Sequence, residues 1–258
     1  MTIKKQGAGV KSVTHERWLL AQQVEKQMWI DGQRREIAAG FRRPLWKYLL
    51  RLMAQWTGLR NYSDCAPVGD DWNDWWATNF DGYRMIPASL NNALEIGCGP
   101  YTNMRLILRE RTVKHAICSD PLARTYIQIP RTHLRHLWQK GIVMVDDHPA
   151  EECPFASNYF DLVVMINVLE HVQDACRCLK HAMRVTSPGG YFVLGNDLDR
   201  KLDVSDIAHP ITVDREWLDN ITADGFDRLY YRVLQREECR DPNLQSGTYL
   251  FVGRKKGC

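Results

Sequence analysis

The stretch Ala93-Leu94-Glu95-Ile96-Gly97-Cys98-Gly99-Pro100-Tyr101-Thr102-Asn103 carries the strongest fold signal in the chain. Its apolar first half predicts a buried strand, its glycines predict a sharp turn, and its last residues predict the start of a helix. Because Gly97 and Gly99 bring no side chain to the turn, a ligand can lie against the main chain and the helix N-terminus. The stretch therefore predicts a site for a large polar ligand.

The acid in this turn distinguishes between two nucleotide-type ligands. A dinucleotide-binding unit has three glycines, spaced G-x-G-x-x-G, around a pyrophosphate. Here Glu95 stands at the strand end, just before the first glycine. A carboxylate at that point repels a pyrophosphate but suits an ammonium group or a ribose hydroxyl. The turn thus favours a zwitterionic or cationic adenosyl ligand over a nicotinamide dinucleotide.

With this pattern the sequence resembles the class I S-adenosylmethionine (AdoMet)-dependent methyltransferases, whose first motif is E/D-x-G-x-G-x-G. Tyr101 stands where the third glycine of the family usually falls. The resemblance implies that AdoMet is the cofactor. It also implies that Glu95 and the loop residues Gly97, Cys98 and Gly99 contact it.

Two further acids are expected to bind the adenosyl group. Residues 113–120 predict a second strand that ends in Asp120, about twenty residues beyond the glycines, where nucleotide-binding folds place a ribose-binding carboxylate. Asp120 can equally cap the helix that follows, or do both. By resemblance, an acid after the third strand accepts a hydrogen bond from the adenine amino group, and we prefer Asp147 to Asp146 for this role.

The second strong signal is the stretch Phe160-Asp161-Leu162-Val163-Val164-Met165-Ile166-Asn167-Val168-Leu169-Glu170-His171-Val172. Its continuous apolar run is typical of a strand that is covered on both faces of a parallel sheet. It resembles the family pattern F-D-x-V-x-x-x-x-V-L-E/H-H-V. Asn167 is placed at the carboxyl end of this strand, where ligands bind in open α/β sheets. His171 is either a catalytic base or a hydrogen-bonding residue of the scaffold.

Candidates for the acceptor side lie on two other segments. His209 follows the fifth predicted strand, and we rank it before His171 as the base that removes a proton from the acceptor. The resemblance suggests that the segment before the first strand folds over donor and acceptor, which makes Trp75, Tyr83 and Arg84 candidates for substrate binding. Packing in the core is the alternative for this aromatic segment. A metal-dependent mechanism is not expected, because the fourth strand ends in Asn167 rather than an acid.

Strands that alternate with helices from about residue 90 predict a doubly wound α/β fold. The resemblance covers residues 90–253 and implies seven strands, mostly parallel, with the last one antiparallel. We expect residues 1–89 to form a helical, basic and aromatic-rich N-terminal extension or lid, and residues 90–258 to form the AdoMet-binding domain. The basic side chains of the extension fit either a solvated face or a surface for a phosphorylated substrate, a membrane or RNA. They are Arg34, Arg35, Arg42, Arg43, Lys47 and Arg51.

Bulk properties set broad limits on function. The chain has 258 residues, a formal net charge of +3 and eight scattered cysteines, which indicate free thiols in a reducing compartment. Without a signal peptide or membrane span, we expect a cytoplasmic protein. The predicted function is AdoMet-dependent methylation of a small-molecule or saccharide acceptor, with O-methylation favoured and a phosphate-bearing acceptor left open. The alternatives are an RNA methyltransferase and an inactive AdoMet-binding protein. The sequence gives no indication of oligomeric state.

Overall fold

A computed structural model describes residues 11–41, 75–76, 79–198, 207–239 and 247–257. Seven strands form one sheet in the order β3-β2-β1-β4-β5-β7-β6, and β7 runs antiparallel to both of its neighbours. This confirms the predicted seven-stranded, mostly parallel sheet. The strands are β1 Ser89–Ile96, β2 Thr112–Ser119, β3 Met144–Asp146, β4 Phe160–Ile166, β5 Thr186–Asp197, β6 Phe226–Leu234 and β7 Thr248–Lys255.

Six α-helices accompany the sheet within the described residues. They are α1 His15–Phe41, α2 Met104–Glu110, α3 Ala123–Tyr126, α4 His133–Gln139, α5 Ala175–Val185 and α6 Arg215–Gly225. The sequence predicts one helix from Leu122 to about Lys140, whereas the structure has two short helices there. Pro130 lacks a backbone N–H, and the hydroxyl of Thr132 caps the second helix by accepting from the Arg135 N–H at 3.3 Å.

Strand β4 divides the core in two. Leu162 and Val164 pack into the cluster on one face of the sheet, while Val163 and Met165 pack into the cluster on the other. All four side chains are fully buried. This alternation explains the unbroken apolar run, because a strand with helices on both faces has no polar side.

Helix α1 is joined to the rest of the chain by contacts that are distant in sequence. The ammonium group of Lys11, just before the helix, donates to the Asp214 carboxylate at 2.5 Å and to the Thr212 carbonyl at 2.8 Å. The guanidinium of Arg17 donates to the Ile207 carbonyl at 2.7 Å. These bonds hold the helix at the carboxyl-end edge of the sheet.

Part of the predicted basic surface lies outside the described residues. Arg34 is exposed and lies 3.5 Å from Asp31. The side chains of Arg35, Arg42, Arg43, Lys47 and Arg51 are not described. In the described portion of the chain, no helix has the length and apolar character needed to cross a membrane.

Candidate active site

A cavity of about 540 Å³ lies at the carboxyl ends of β1, β2, β4 and β5, with helix α1 along one side. Its volume is in the range of pockets that bind cofactors and small substrates. The carboxyl end of a parallel sheet, near the point where strand order reverses, is where such folds bind ligands. In this sheet β1 lies between β2 and β4, so the reversal occurs beside β1.

The glycine turn forms one wall of the cavity. Gly97, with φ of 68°, and Gly99, with φ of 56°, adopt left-handed conformations that other residues rarely tolerate. The N–H groups of Gly97 and Cys98 donate to the Ser119 carbonyl at 2.8 and 3.1 Å, which ties the turn to β2. A Cβ atom at Gly97 would lie 2.5 Å from Val168, whereas one at Gly99 would meet nothing within 4 Å. Gly97, Cys98 and Gly99 all line the cavity, and their contact with AdoMet stays a prediction.

Glu95 points away from the cavity. Its carboxylate accepts from the N–H groups of Asn103 at 2.7 Å and Met104 at 2.9 Å, and from the Thr102 hydroxyl. It is 1% exposed and is not among the cavity-lining residues. The contact of Glu95 with AdoMet stays a prediction, and in this structure the carboxylate faces the start of α2. Glu95 satisfies N–H groups at the start of α2 and so fixes the turn from behind.

The burial of Glu95 affects its ionisation. Removal from water raises the pKa of its carboxyl to about 7, although the hydrogen bonds from Thr102, Asn103 and Met104 act in the opposite direction. The loop conformation therefore depends on a buried acid behind the turn.

Asp120 combines the two roles that the sequence leaves open. Its carboxylate accepts from the Leu122 N–H at 2.8 Å and from the Gly99 N–H at 3.1 Å. The side chain also lines the cavity. Burial, followed by the negative charge of Glu25, raises the pKa of the Asp120 carboxyl to about 7. Asp120 thus holds the glycine turn and also contributes to the cavity wall.

Asp147 is not part of the cavity wall. It is exposed and forms an ion pair with Arg124 at 3.4 Å. Asp146 is also turned away, because its carboxylate accepts from the Ser119 hydroxyl at 2.8 Å and lies 2.7 Å from Nδ1 of His148. The adenine-binding role of Asp147 stays a prediction, because in this structure its carboxylate pairs with Arg124 outside the cavity lining. Residues 148–151 form the cavity wall here.

Asn167 lies in the cavity wall directly after β4. It adopts a left-handed backbone conformation with φ of 52°, and its N–H donates to the Gly195 carbonyl at 2.8 Å. Its side-chain oxygen Oδ1 is buried and accepts no hydrogen bond in the structure. Strained backbone and unsatisfied buried acceptors are costly and concentrate at functional sites. The Oδ1 atom is therefore available to a donor group of a ligand.

The two candidate histidines meet in the cavity. His171 and His209 both line it, and their ring centroids lie 4.5 Å apart. Nδ1 of His171 lies 3.0 Å from the Ala208 carbonyl oxygen, and a carbonyl can only accept, so this nitrogen carries the hydrogen. His171 thus makes a scaffold hydrogen bond that holds the backbone next to His209, and its role as a base stays a prediction.

The three candidates for substrate binding lie elsewhere. Tyr83 is buried in the core, and its hydroxyl lies 3.5 Å from the side-chain oxygen of Asn103. Arg84 is exposed and lies 3.6 Å from Asp81. Trp75 packs edge-on against Trp76, with centroids 4.9 Å apart, and it is Trp76 that lines the cavity. The residue of this aromatic segment that lines the cavity is therefore Trp76, next to the predicted Trp75.

Helix α1 contributes residues that sequence reasoning missed. Trp18, Gln22, Glu25 and Trp29 line the cavity. Their spacing of four, three and four residues places them on one helical face, a signal that is present in the sequence. Gln22 donates to the His171 carbonyl at 3.3 Å, and Trp29 packs against Tyr101 with ring centroids 5.5 Å apart. Tyr101, which stands in place of the third glycine of the motif, thus packs against helix α1.

The residues present fit an adenosyl sulfonium. Gly99 leaves open space beside the main chain, Asn167 offers an unsatisfied oxygen, and Asp120 offers a carboxylate to hydroxyl groups. Among the described residues that line the cavity, none is a lysine or an arginine, whereas several are acids or aromatic residues. Such a lining suits a positively charged ligand better than a pyrophosphate.

Comparisons with known proteins agree with this geometry. Residues 94–194 match a family model described as a methyltransferase domain. This range begins in β1, includes the glycine turn and Asp120, and ends in β5. The match confirms the resemblance drawn from the two sequence motifs.

Two curated relatives match over shorter lengths. An uncharacterized 37.1 kDa protein in transposon TN4556 of Streptomyces fradiae is 26% identical over 136 residues, 52% of this chain and 39% of that protein. The ubiquinone/menaquinone biosynthesis C-methyltransferase UbiE of Vibrio cholerae is 34% identical over 76 residues, 30% of this chain and 29% of that protein. The matches thus span less than half the length of either relative.

The fold is similar to that of a solved N-methyltransferase. The structure of NodS from Bradyrhizobium japonicum WM9, in complex with S-adenosyl-L-homocysteine, aligns with a TM-score of 0.54 and 16% identity. The alignment covers 74% of this chain and 93% of that one. At this level of identity the likeness concerns the fold.

Proposed function

We propose that this chain, whose residues 94–194 match the methyltransferase domain model, transfers a methyl group from AdoMet to a small-molecule or saccharide acceptor. An oxygen nucleophile is favoured as the acceptor atom. One observation carries the proposal: a single cavity contains both the glycine turn with Asp120 and the histidine pair His171 and His209.

The donor half of the cavity would hold AdoMet as follows. The Asp120 carboxylate accepts hydrogen bonds from ribose hydroxyls, and Asn167 Oδ1 accepts one from a polar hydrogen of the ligand. The open space at Gly99 lets the ligand approach the backbone. Bound AdoMet supplies a methyl carbon made electrophilic by its sulfonium. The chain itself mainly aligns donor and acceptor for an in-line displacement.

The acceptor half would supply a base. His209 would take the proton of the acceptor hydroxyl, and AdoMet, when bound, would supply the methyl group and leave as a neutral thioether. His171 keeps its Nδ1 hydrogen on the Ala208 carbonyl and so fixes the segment that carries His209. Trp76 offers an apolar surface to the acceptor on the β5 side of the cavity.

We extend the proposal to residues 1–89, which we take to act as a lid. The described helix α1 lines the cavity with Trp18, Gln22, Glu25 and Trp29, and Trp76 adds a second aromatic surface. A cover of this kind excludes water from the reacting groups.

The test begins with calorimetric binding of AdoMet to the wild-type chain and to Asp120→Ala, with exposed Asp227→Ala as the matched control. We expect binding to the wild type and the control, and at least tenfold weaker binding to Asp120→Ala. Absence of binding to the wild type would contradict the proposal.

A second step identifies the acceptor. The wild-type chain is incubated with methyl-labelled AdoMet and separate small-molecule, lipid and RNA fractions of a cell extract. We expect label in the small-molecule fraction. Label only in RNA, with RNA binding that weakens steeply with salt, would favour the RNA methyltransferase instead. Tight binding of AdoMet without transfer to any fraction would favour an inactive binding protein.

A further inference from the structure

Glu25 is a carboxylate that helix α1 places inside the cavity. Its side chain is 16% exposed, and Oε2 lies 3.6 Å from Nδ1 of His171. Oε1 lies 3.4 Å from the Tyr126 hydroxyl and 3.4 Å from Nε1 of Trp29. Three elements therefore converge on this carboxylate: α1 itself, α3 and the segment after β4.

A second carboxylate lies near it. Asp120 lines the same cavity from the end of β2, and the charge of Glu25 helps to raise the pKa of the Asp120 carboxyl, while His171 lowers it. The described residues that line the cavity include no lysine or arginine to neutralise this pair. Two acids that line one partly enclosed cavity repel each other, and a cationic ligand relieves that repulsion.

Glu95, the acid that the sequence suggests as a contact for a cationic ligand, makes its hydrogen bonds elsewhere. Its carboxylate accepts hydrogen bonds from N–H groups at the start of α2 and from the Thr102 hydroxyl, and Glu95 is not among the cavity-lining residues. The negative charge that faces the cavity comes instead from Asp120 and from acids of other segments, and Glu25 is the contribution of α1.

We propose that Glu25 is a specificity-determining residue that favours the cationic donor AdoMet over S-adenosyl-L-homocysteine. This inference rests on the proposed function. Methyl transfer converts a sulfonium into a neutral thioether, so donor and product share their adenosyl and amino-acid groups but differ by one positive charge at sulfur. A carboxylate on the covering helix stabilises the charged form more than the neutral one. Glu25 thereby assists product release and limits inhibition by the product.

The test compares the two ligands on matched variants. Calorimetry gives the dissociation constants of AdoMet and S-adenosyl-L-homocysteine for the wild type, Glu25→Gln and Glu16→Gln, the last being an exposed acid on the same helix. We expect Glu25→Gln to weaken AdoMet binding about tenfold and product binding by less than about twofold. Glu16→Gln should change neither value. Glu25→Asp keeps the charge and should retain most of the preference for AdoMet.

Three outcomes would overturn the inference. If Glu25→Gln weakens the binding of both ligands equally, the residue supports the site but does not distinguish the charged donor from the neutral product. If it weakens neither, it does not act on the ligand at all. A wild-type chain that binds neither ligand would contradict the proposed function as well, whereas the first two outcomes leave that function intact. Thermal unfolding of each variant shows whether a loss of binding reflects a loss of folding.

Discussion

The imidazole ring of His209 lies against that of His171, with centroids 4.5 Å apart and ring planes inclined at 51°. His171 also donates from Nδ1 to the carbonyl of Ala208, the residue before His209, at 3.0 Å. One histidine therefore positions the other, and the pair lies in the wall of the cavity.

Replacing His209 with alanine should reduce methyl transfer and leave AdoMet binding unchanged. A positioned base contributes about 10²- to 10⁴-fold to the rate of a proton-requiring step. Transfer of labelled methyl groups to the acceptor fraction measures this loss, and calorimetry measures the affinity. His115→Ala, at an exposed position on β2, is the control. Full transfer by His209→Ala would show that the acceptor needs no base from this residue.

Replacing Glu95 with glutamine should destabilise the fold. The carboxylate accepts from two buried N–H groups, one on each oxygen. In glutamine one of these oxygens becomes an amide nitrogen, which cannot accept, so at least one N–H group loses its partner. We expect the free energy of unfolding to fall by about 1–3 kcal/mol. Denaturant unfolding of this variant and of Glu110→Gln, an exposed acid at the other end of α2, tests the prediction. Equal stability of the two variants would contradict it.

Alanine at the two glycines of the turn should have different effects. At Gly97 a methyl group would lie 2.5 Å from Val168, so Gly97→Ala should lower thermal stability strongly. At Gly99 the methyl group meets nothing within 4 Å, so the cost in stability is limited to the strained φ, about 1–2 kcal/mol. It would instead occupy ligand space, and AdoMet binding should weaken. Similar melting temperatures for the two variants would refute this distinction.

The stability of the ligand-free chain should depend on pH through Asp120. Its pKa is about 7 in the folded protein, raised by burial and by Glu25, against about 3.9 when unfolded. The folded state thus binds the proton more tightly, and stability falls as pH rises from about 4 to about 7. In Asp120→Asn this fall should be smaller, although Glu95 contributes a similar one. Equal pH slopes in chemical denaturation of both proteins would disprove the assignment.

The fold and the location of the cavity could be predicted from the sequence because both depend on local pattern. The apolar run of β4 requires cover on both faces, and the glycines after β1 require a turn at the sheet edge. Asp120 and Asn167 follow their strands directly, so strand direction alone brings them to the same edge. Their presence in the cavity wall needs no knowledge of distant contacts.

The orientation of Glu95 and Asp147 could not be predicted in the same way. Each stands at the end of a strand, but its direction depends on which partner is near: the start of α2 for Glu95 and Arg124 for Asp147. The contribution of Glu25 depends on how α1 docks, which is set by partners far along the chain. Its helical spacing with Trp18, Gln22 and Trp29 marks a common face but does not say what that face covers.

The docking of α1 also has a consequence for the order of folding. Lys11 pairs with Asp214, 203 positions later, and Arg17 bonds to Ile207, 190 positions later. Contacts between residues so far apart in sequence form at a large cost in loop-closure entropy. During synthesis this helix emerges long before Asp214 and Ile207, so these two contacts form late. The nascent chain can therefore complete strands β1 to β5 before the bonds from Lys11 and Arg17 fix the start of this helix beside the cavity.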